Sequence, residues 1–424
     1  MTEIPRPNRG IIPGSFLEQP SEPVSICDIS VKRDSRISTG ISEFDRVLGG
    51  GIVPGSLVLL AGDPGIGKST LLLQALAEAS KTGLTTLYVS GEESLQQVKL
   101  RADRIGIQER NLKVVTETNL EEILKMIEKL APSVLAVDSI QTIRTAMTAS
   151  PPGSLSQIRE SANILLSMAK ITGIAVILAG HVTKEGVIAG PRVLEHLVDA
   201  ALYFEGGGAH GFRILRAVKN RFGATNEIGV FEMTDSGLNE VLNPSAIFVS
   251  ERPKNISGSV VVPSIEGTRP ILVEIQSLVT PTSFPQPRRM TMGIDGNRLA
   301  LLIAIMEKKL GISLAGNDIF INVAGGVKIV EPAIDLPVVM ALLSCYLDKP
   351  FPEDTVLFGE VGLVGEVRGV DRADIRVSEA AKLGFERVLL PSANFHSLPP
   401  QSGIHITGVS NLEEAIRSCD TFTN

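Results

Sequence analysis

Gly62-Asp63-Pro64-Gly65-Ile66-Gly67-Lys68-Ser69-Thr70 is the stretch whose reading decides the fold. It is a full G-x-x-x-x-G-K-S match between an apolar run at 57–61 and an apolar helical pattern over 69–82, so it reads as the turn from a strand into a helix. The glycines let backbone N–H groups turn toward a polyphosphate, and the first turn of the helix adds its dipole. Lys68 is then expected at the β- and γ-phosphates and Ser69 at a Mg2+ ion, which makes the cofactors ATP and Mg2+. A glycine-rich turn formed by chance is the alternative, and the flanking strand and helix speak against it.

Outward from that turn, strand-like runs at 57–61, 85–90, 134–138 and 174–180 alternate with helix-like segments at 69–82, 120–130 and 157–172. The alternation predicts an α/β fold of right-handed βαβ units with a mostly parallel sheet covered by helices. The strand at 134–138 ends in Asp138, a carboxylate suited to assist Mg2+ through water, although strands also end in Asp for reasons of turn chemistry. The strand at 85–90 leads into Gly91-Glu92-Glu93-Ser94, at the end that faces the ligand crevice of an open sheet. Glu92 is the candidate general base and Glu93 its substitute, while an acidic pair that merely caps the next helix is the alternative.

Composition bounds what else the chain does. Its 424 residues allow two or three domains, and 43% hydrophobic with 21% charged residues is ordinary globular usage. Aromatics are 4% with no Trp, which argues against base-stacking platforms, and 40 basic against 47 acidic residues gives −7, unlike a passive DNA-coating protein. No apolar run approaches a membrane span, no signal-peptide core opens the chain, and Cys27, Cys345 and Cys419 lie far apart, so a reducing cytoplasm is expected, with no membrane.

Residues 1–36, with five prolines and no periodicity, read as a flexible lead-in. Residues 37–252 form the nucleotide-binding domain. A shift near Pro253 and Gly258 opens a second domain over 253–424, with strands expected at 258–262, 271–278, 319–323 and 388–390 and helices at 297–310, 336–347 and 378–383.

Three further stretches complete a family pattern. These are Ile37-Ser38-Thr39-Gly40-Ile41-Ser42-Glu43-Phe44-Asp45 ahead of the P-loop, Gly180-His181-Val182-Thr183-Lys184-Glu185-Gly186 after the fourth strand, and the pentapeptide Lys219-Asn220-Arg221-Phe222-Gly223. Over essentially 37–424 the chain resembles the bacterial RadA (Sms) family of RecA-type ring ATPases. The resemblance implies a RecA-like ATPase domain and a homo-hexameric, ATP-driven motor that binds single-stranded and branched DNA, promotes branch migration and works beside a RecA-type recombinase. It assigns Lys219 and Arg221 to DNA binding and to completing a neighbour's nucleotide site, which suits an arginine finger, although an ordinary solvated hairpin turn also carries such residues. It makes His181 a γ-phosphate sensor signalling to DNA-binding Lys184, where a satisfied strand-end histidine is the alternative. The stretch 145–156, with Pro151, Pro152 and Gly153, reads as a mobile loop facing the ring channel. The family normally opens with a four-cysteine zinc ribbon; no such motif stands here, and no zinc is expected.

From about 258 onward the chain resembles the proteolytic domain of Lon, in Phe358-Gly359-Glu360-Val361-Gly362, Ala380-Ala381-Lys382-Leu383-Gly384 and Val388-Leu389-Leu390-Pro391. On that pattern the nucleophilic Ser falls at Ala333 and its Lys at Arg376. Neither can do the chemistry, so a scaffold is expected, with Arg288, Arg289, Arg298, Lys308, Lys309 and Lys328 at a DNA path, a ring interface or simply the surface. Rival functions are a RecA-fold regulatory ATPase acting on protein partners, an ATP-gated protease and a non-catalytic scaffold.

Overall fold

The computed structural model describes residues 25–28, 36–181, 190–206, 212–225, 227–250, 252–399, 403–419 and 422. The chain divides into two compact units, the first ending at Val241 and the second beginning at Leu242. Among the described residues no helix is long and apolar enough to cross a membrane.

In the first unit, β1 (Leu57–Gly62), β2 (Thr86–Ser90), β3 (Leu112–Thr116), β4 (Val134–Asp138), β5 (Ala175–His181) and β6 (Ala200–Gly206) lie parallel in the order β3-β2-β4-β5-β1-β6. Three antiparallel strands, β7 (Phe212–Asn220), β8 (Ile228–Thr234) and β9 (Gly237–Glu240), extend the sheet beyond β6. The helices are α1 (Ser42–Leu48), α2 (Lys68–Lys81), α3 (Leu95–Arg104), α4 (Leu120–Leu130), α5 (Leu155–Thr172) and α6 (Gly190–Glu195).

The apolar run of β1 is continuous because both faces of its sheet are covered. Val58 and Leu60 join Phe44 of α1 and Leu71, Leu72 and Leu76 of α2 in one core cluster, while Leu57 and Leu59 join Ile123 of α4 and Leu165 of α5 in another. Each such buried side chain contributes about 1.5–3 kcal/mol of transfer free energy. A charge at Leu59 would therefore sit unpaired between two layers and break the strand's packing.

The sheet gathers the expected residues at one edge. Register pairs Gly62 with His181 and Ser90 with Asp138, so the C-terminal ends of β1, β2, β4 and β5 line up. That is the edge at which open α/β sheets bind ligands.

The second unit holds α7 (Pro244–Ser250), β10 (Ser259–Glu266), β11 (Arg269–Pro281), β12 (Arg289–Met292), α8 (Gly296–Leu310), β13 (Asn317–Val323), α9 (Asp335–Leu347), β14 (Thr355–Leu357), the short pair β15 (Glu360–Val361) and β16 (Val367–Arg368), α10 (Ala373–Lys382), β17 (Arg387–Pro391), α11 (Ser392–Phe395), β18 (His405–Val409) and α12 (Leu412–Arg417). Its main sheet is mixed, in the order β12-β13-β11-β10-β14-β17-β18. Its central helix α9 is buried almost all round, and its one carboxylate, Asp335, is paired with Arg298 and accepts from Val361 N at 3.0 Å.

The division at Leu242 precedes the expected 252/253 boundary because α7 is bonded to β11 and α10 of the second unit. Ser245 Oγ accepts from Leu272 N at 3.1 Å and donates to Glu379 at 2.9 Å. Helix α10 also starts five residues before the expected 378, since Ala373, Arg376 and Val377 are already buried helical positions.

Candidate nucleotide-binding site

The turn between β1 and α2 is shaped by its glycines. Gly65 has φ +78° with open space where a Cβ would stand, and Gly67, with φ +118°, is the N-cap of α2. At Gly62 a Cβ would come within 2.5 Å of the Phe204 carbonyl oxygen, so a larger residue there displaces β6. The open backbone, the helix N-terminus and the hydroxyl of half-buried Ser69 fit a polyphosphate and an oxygen-ligated Mg2+.

Lys68 is buried, and its Nζ donates to Gly62 O at 2.8 Å and Asp63 O at 2.9 Å. Burial pushes its ammonium below the ordinary lysine value, while Asp138, Glu92 and Asp63 pull the other way. Nζ also lies 3.3 Å from His181 Nδ1, and His181 Nε2 lies 3.0 Å from Glu92 Oε1. An ammonium only donates, so Nδ1 accepts and the Nε2–H donates to Glu92.

Glu92 Oε1 also accepts from Ser139 Oγ. Burial works to raise the Glu92 carboxyl, but the hydrogen bonds from Ser139 and His181 and the nearby Lys68 charge outweigh it and hold the carboxyl below its ordinary value. Glu93 faces elsewhere. Its carboxylate pairs with Arg101 of α3, and its backbone N–H donates to Ser90 Oγ at 3.0 Å. Neither glutamate caps α3, because Ser94 and Gln97 form a reciprocal capping box there.

Asp138 is buried at the end of β4, and Tyr88 Oη donates to its Oδ2 at 2.5 Å. Burial, then the Asp138 charge, pushes the Tyr88 phenol far above its ordinary value, so it stays a donor. Tyr88 and Ser139 escaped sequence reading. Ser139 directly follows Asp138, and Tyr88 stands two residues before Ser90, the cross-strand partner of Asp138. That register was the signal available for Tyr88.

Lys184 lies outside the described residues. The stretch 145–156, expected to be mobile, is tied down. Gln157 accepts from Thr145 N at 3.0 Å and donates to Ser150 O at 2.9 Å, and Glu121 accepts from Ala146 N at 2.9 Å. A buried amide that satisfies several loop backbone groups fixes a conformation that proline and glycine content alone does not reveal.

A family profile described as "AAA domain" matches residues 24–187, and one described as "Subunit ChlI of Mg-chelatase" matches residues 301–394. The chain is 54% identical to the DNA repair protein RadA of Bacillus subtilis over 94% of its own length and 87% of the relative's. It is 50% identical to that of Listeria monocytogenes, with the same coverage, and 49% identical to that of Streptococcus pneumoniae over 95% of this chain and 96% of the relative. The chain belongs to the RadA family. Its first unit is accordingly a RecA-like P-loop ATPase fold, as the resemblance implied.

The family pentapeptide lies away from this chain's own P-loop. Asn220 of β7 pairs with Ala200 at the start of β6, whereas Gly62 of β1 pairs with Phe204. Four residues of β6 thus separate them, about 13 Å at ~3.3 Å per residue. Arg221, 58% exposed in its side chain, has Nη1 3.4 Å from Oδ1 of buried Asp199, whose other oxygen accepts from Lys170 at 2.9 Å and Leu57 N at 3.0 Å. Lys219 Nζ donates to the carbonyls of Glu195 at 2.6 Å and His196 at 3.2 Å, at the C-terminal end of α6.

In the second unit, the positions expected for a Ser-Lys dyad carry none of its chemistry. Ala333 is buried beside Glu331, and buried Arg376 forms a forked pair with Glu331 at 2.9 and 2.5 Å. Arg298 is committed to Asp335, and Arg288 stacks over Phe284 at 3.8 Å.

Proposed function

We propose that this chain is an ATP-hydrolysing motor of DNA repair and recombination, working in the cytoplasm as a homo-hexameric ring on single-stranded and branched DNA to promote branch migration, beside a RecA-type recombinase. What carries the reading is the convergence of Lys68, Glu92 and His181 at one sheet edge while Arg221 stands at the opposite edge. A chain so built binds nucleotide with its own P-loop and offers its exposed cation to a neighbour.

In this reading Gly62 to Thr70 cradle the phosphates, with Lys68 released from its carbonyl contacts to the β- and γ-phosphates. When bound, Mg2+ neutralises charge across those phosphates, with Ser69 and Asp138 as the residues to hold it, Asp138 through water. Glu92 takes a proton from, or orients, the attacking water. His181 links Lys68 to Glu92 and so reports γ-phosphate to the segment that follows β5. The second unit serves as a scaffold, because Arg376 cannot give up its proton to act as a base and Ala333 has no nucleophile.

The test is steady-state phosphate release with and without single-stranded DNA. Strong stimulation supports the motor. DNA-independent release that rises only with a protein partner supports the regulatory ATPase instead.

A further inference from the structure

The Glu92 carboxylate is held through one oxygen. Both Ser139 Oγ and His181 Nε2 meet Oε1. Ser139 is fully buried, and its carbonyl is fixed in turn by Thr142, whose N–H donates at 3.2 Å and whose Oγ1 donates at 2.8 Å. The loop bearing Glu92 lies flat on this turn because residue 91 is glycine: a Cβ there would meet Thr142 Oγ1 at 1.9 Å. Gly91 N also donates to Asp138 O at 2.8 Å. The backbone around both partners is therefore set before any substrate arrives.

We propose that Ser139 is a positioning residue for the hydrolytic water: its hydroxyl fixes Glu92 Oε1 and leaves Oε2 as the oxygen that meets the water. Two donors on one oxygen remove the freedom of the carboxylate to rotate, and a base held in its working geometry keeps the advantage of orientation. A buried hydroxyl also needs a partner for its own sake. The two roles separate on removal, since a packing role changes folding stability while a positioning role changes kcat.

The inference rests on Glu92 being the base, so Glu92→Gln is the first arm. Wild-type turnover in that variant overturns the base itself. With Glu92→Gln inactive, Ser139→Ala should lower kcat about tenfold or more while KM stays within about twofold, as expected when an interaction orients the reacting group without holding the substrate. Burial raises the Glu92 carboxyl and the Ser139 and His181 bonds lower it, so losing one bond moves the acid limb of kcat to higher pH. The other titratable groups that face the carboxylate, Lys68 from α2 and His181 from β5, are unchanged in the variant, as is Asp138 of β4, which faces Lys68. Ser139→Cys keeps the size with a weaker donor and should fall between the two, and it carries the test if the alanine variant does not fold. An unchanged kcat and acid limb in the folded variants, or a loss that appears wholly in KM, would overturn the proposal.

Discussion

His181 Nε2 lies 3.0 Å from Glu92 Oε1 while the opposite ring nitrogen, Nδ1, faces the Lys68 ammonium at 3.3 Å. One ring thus spans the nucleotide lysine and the candidate base. Because imidazole has one N–H when neutral, whichever partner takes one nitrogen dictates what the other can do. A phosphate that draws Lys68 away frees Nδ1, and the hydrogen bond at Glu92 is free to change with it.

Glu92→Gln should keep nucleotide binding and lose hydrolysis by roughly 10²–10⁴-fold, since the amide keeps the shape but takes no proton. Glu93→Gln should leave turnover near wild type and loosen α3 through its lost pair with Arg101. Single-turnover phosphate release measured beside fluorescent-nucleotide binding separates the two. Stalled turnover in Glu93→Gln alone would reverse the choice.

His181→Ala should likewise retain binding, because the P-loop backbone and Lys68 are untouched and the carbonyls of Gly62 and Asp63 still hold Lys68 at the site until a phosphate takes it. Its pH profile carries the sharper sign. A base works when ionised, and burial, which raises the Glu92 carboxyl, is outweighed by bonds from Ser139 and His181 that lower it. The wild-type acid limb therefore lies below that of an ordinary glutamate, and removing His181 moves it upward. A kcat profile from mildly acidic to neutral pH checks this, and an unmoved limb counts against the contact.

The P-loop, the parallel sheet and three of the site's charged groups were legible because each carries a local signature: glycine spacing, continuous apolar runs, and carboxylates at strand ends. Strand β3 was not, since at the sheet edge its Leu112, Val114 and Val115 are only half-buried and form no long apolar run. The antiparallel strands β7 to β9 were missed for a related reason: β7 is buried only in its middle and exposed toward its end. Ser139 was silent because a serine hydroxyl gains its meaning from a partner 47 residues away. Gln157, which closes the loop at 145–156, likewise gains its meaning only from backbone partners 7 to 12 residues away.

In the second unit, Arg376→Ala should destabilise by up to about 3–5 kcal/mol, the cost of removing the countercharge from a largely buried pair, since Glu331 then keeps only the neutral donors Ser264 Oγ and Ile265 N, each at 2.8 Å. Thermal unfolding of the full chain would show it as an earlier transition. Ala333→Ser should add no peptidase activity, because the Arg376 guanidinium is engaged with Glu331 and with the Pro263 carbonyl at 2.6 Å and cannot accept a proton. Cleavage of casein by this variant would end the scaffold reading.

The last prediction concerns the pentapeptide. Arg221 is half in solvent, loosely paired with Asp199, and separated from its own P-loop by much of the length of β6. A cation so placed cannot act on its own chain's phosphate, so Arg221→Ala should leave nucleotide binding intact and lower DNA-stimulated hydrolysis by about 10³-fold or more, the worth of an arginine finger. Lys219→Ala should act differently, because its ammonium holds the carbonyls of Glu195 and His196 rather than facing solvent freely. It should weaken DNA stimulation through the C-terminal end of α6 and change the salt slope of DNA binding less than loss of a direct phosphate contact would, which is about one unit. Mixing Arg221→Ala subunits with Lys68→Ala subunits is the decisive measurement. In the proposed ring each defect would lie on a different side of one interface, so a fraction of interfaces would regain an intact P-loop facing an intact arginine, and hydrolysis should return in part. Mixtures no more active than the separate variants would leave Arg221 a surface turn held to Asp199.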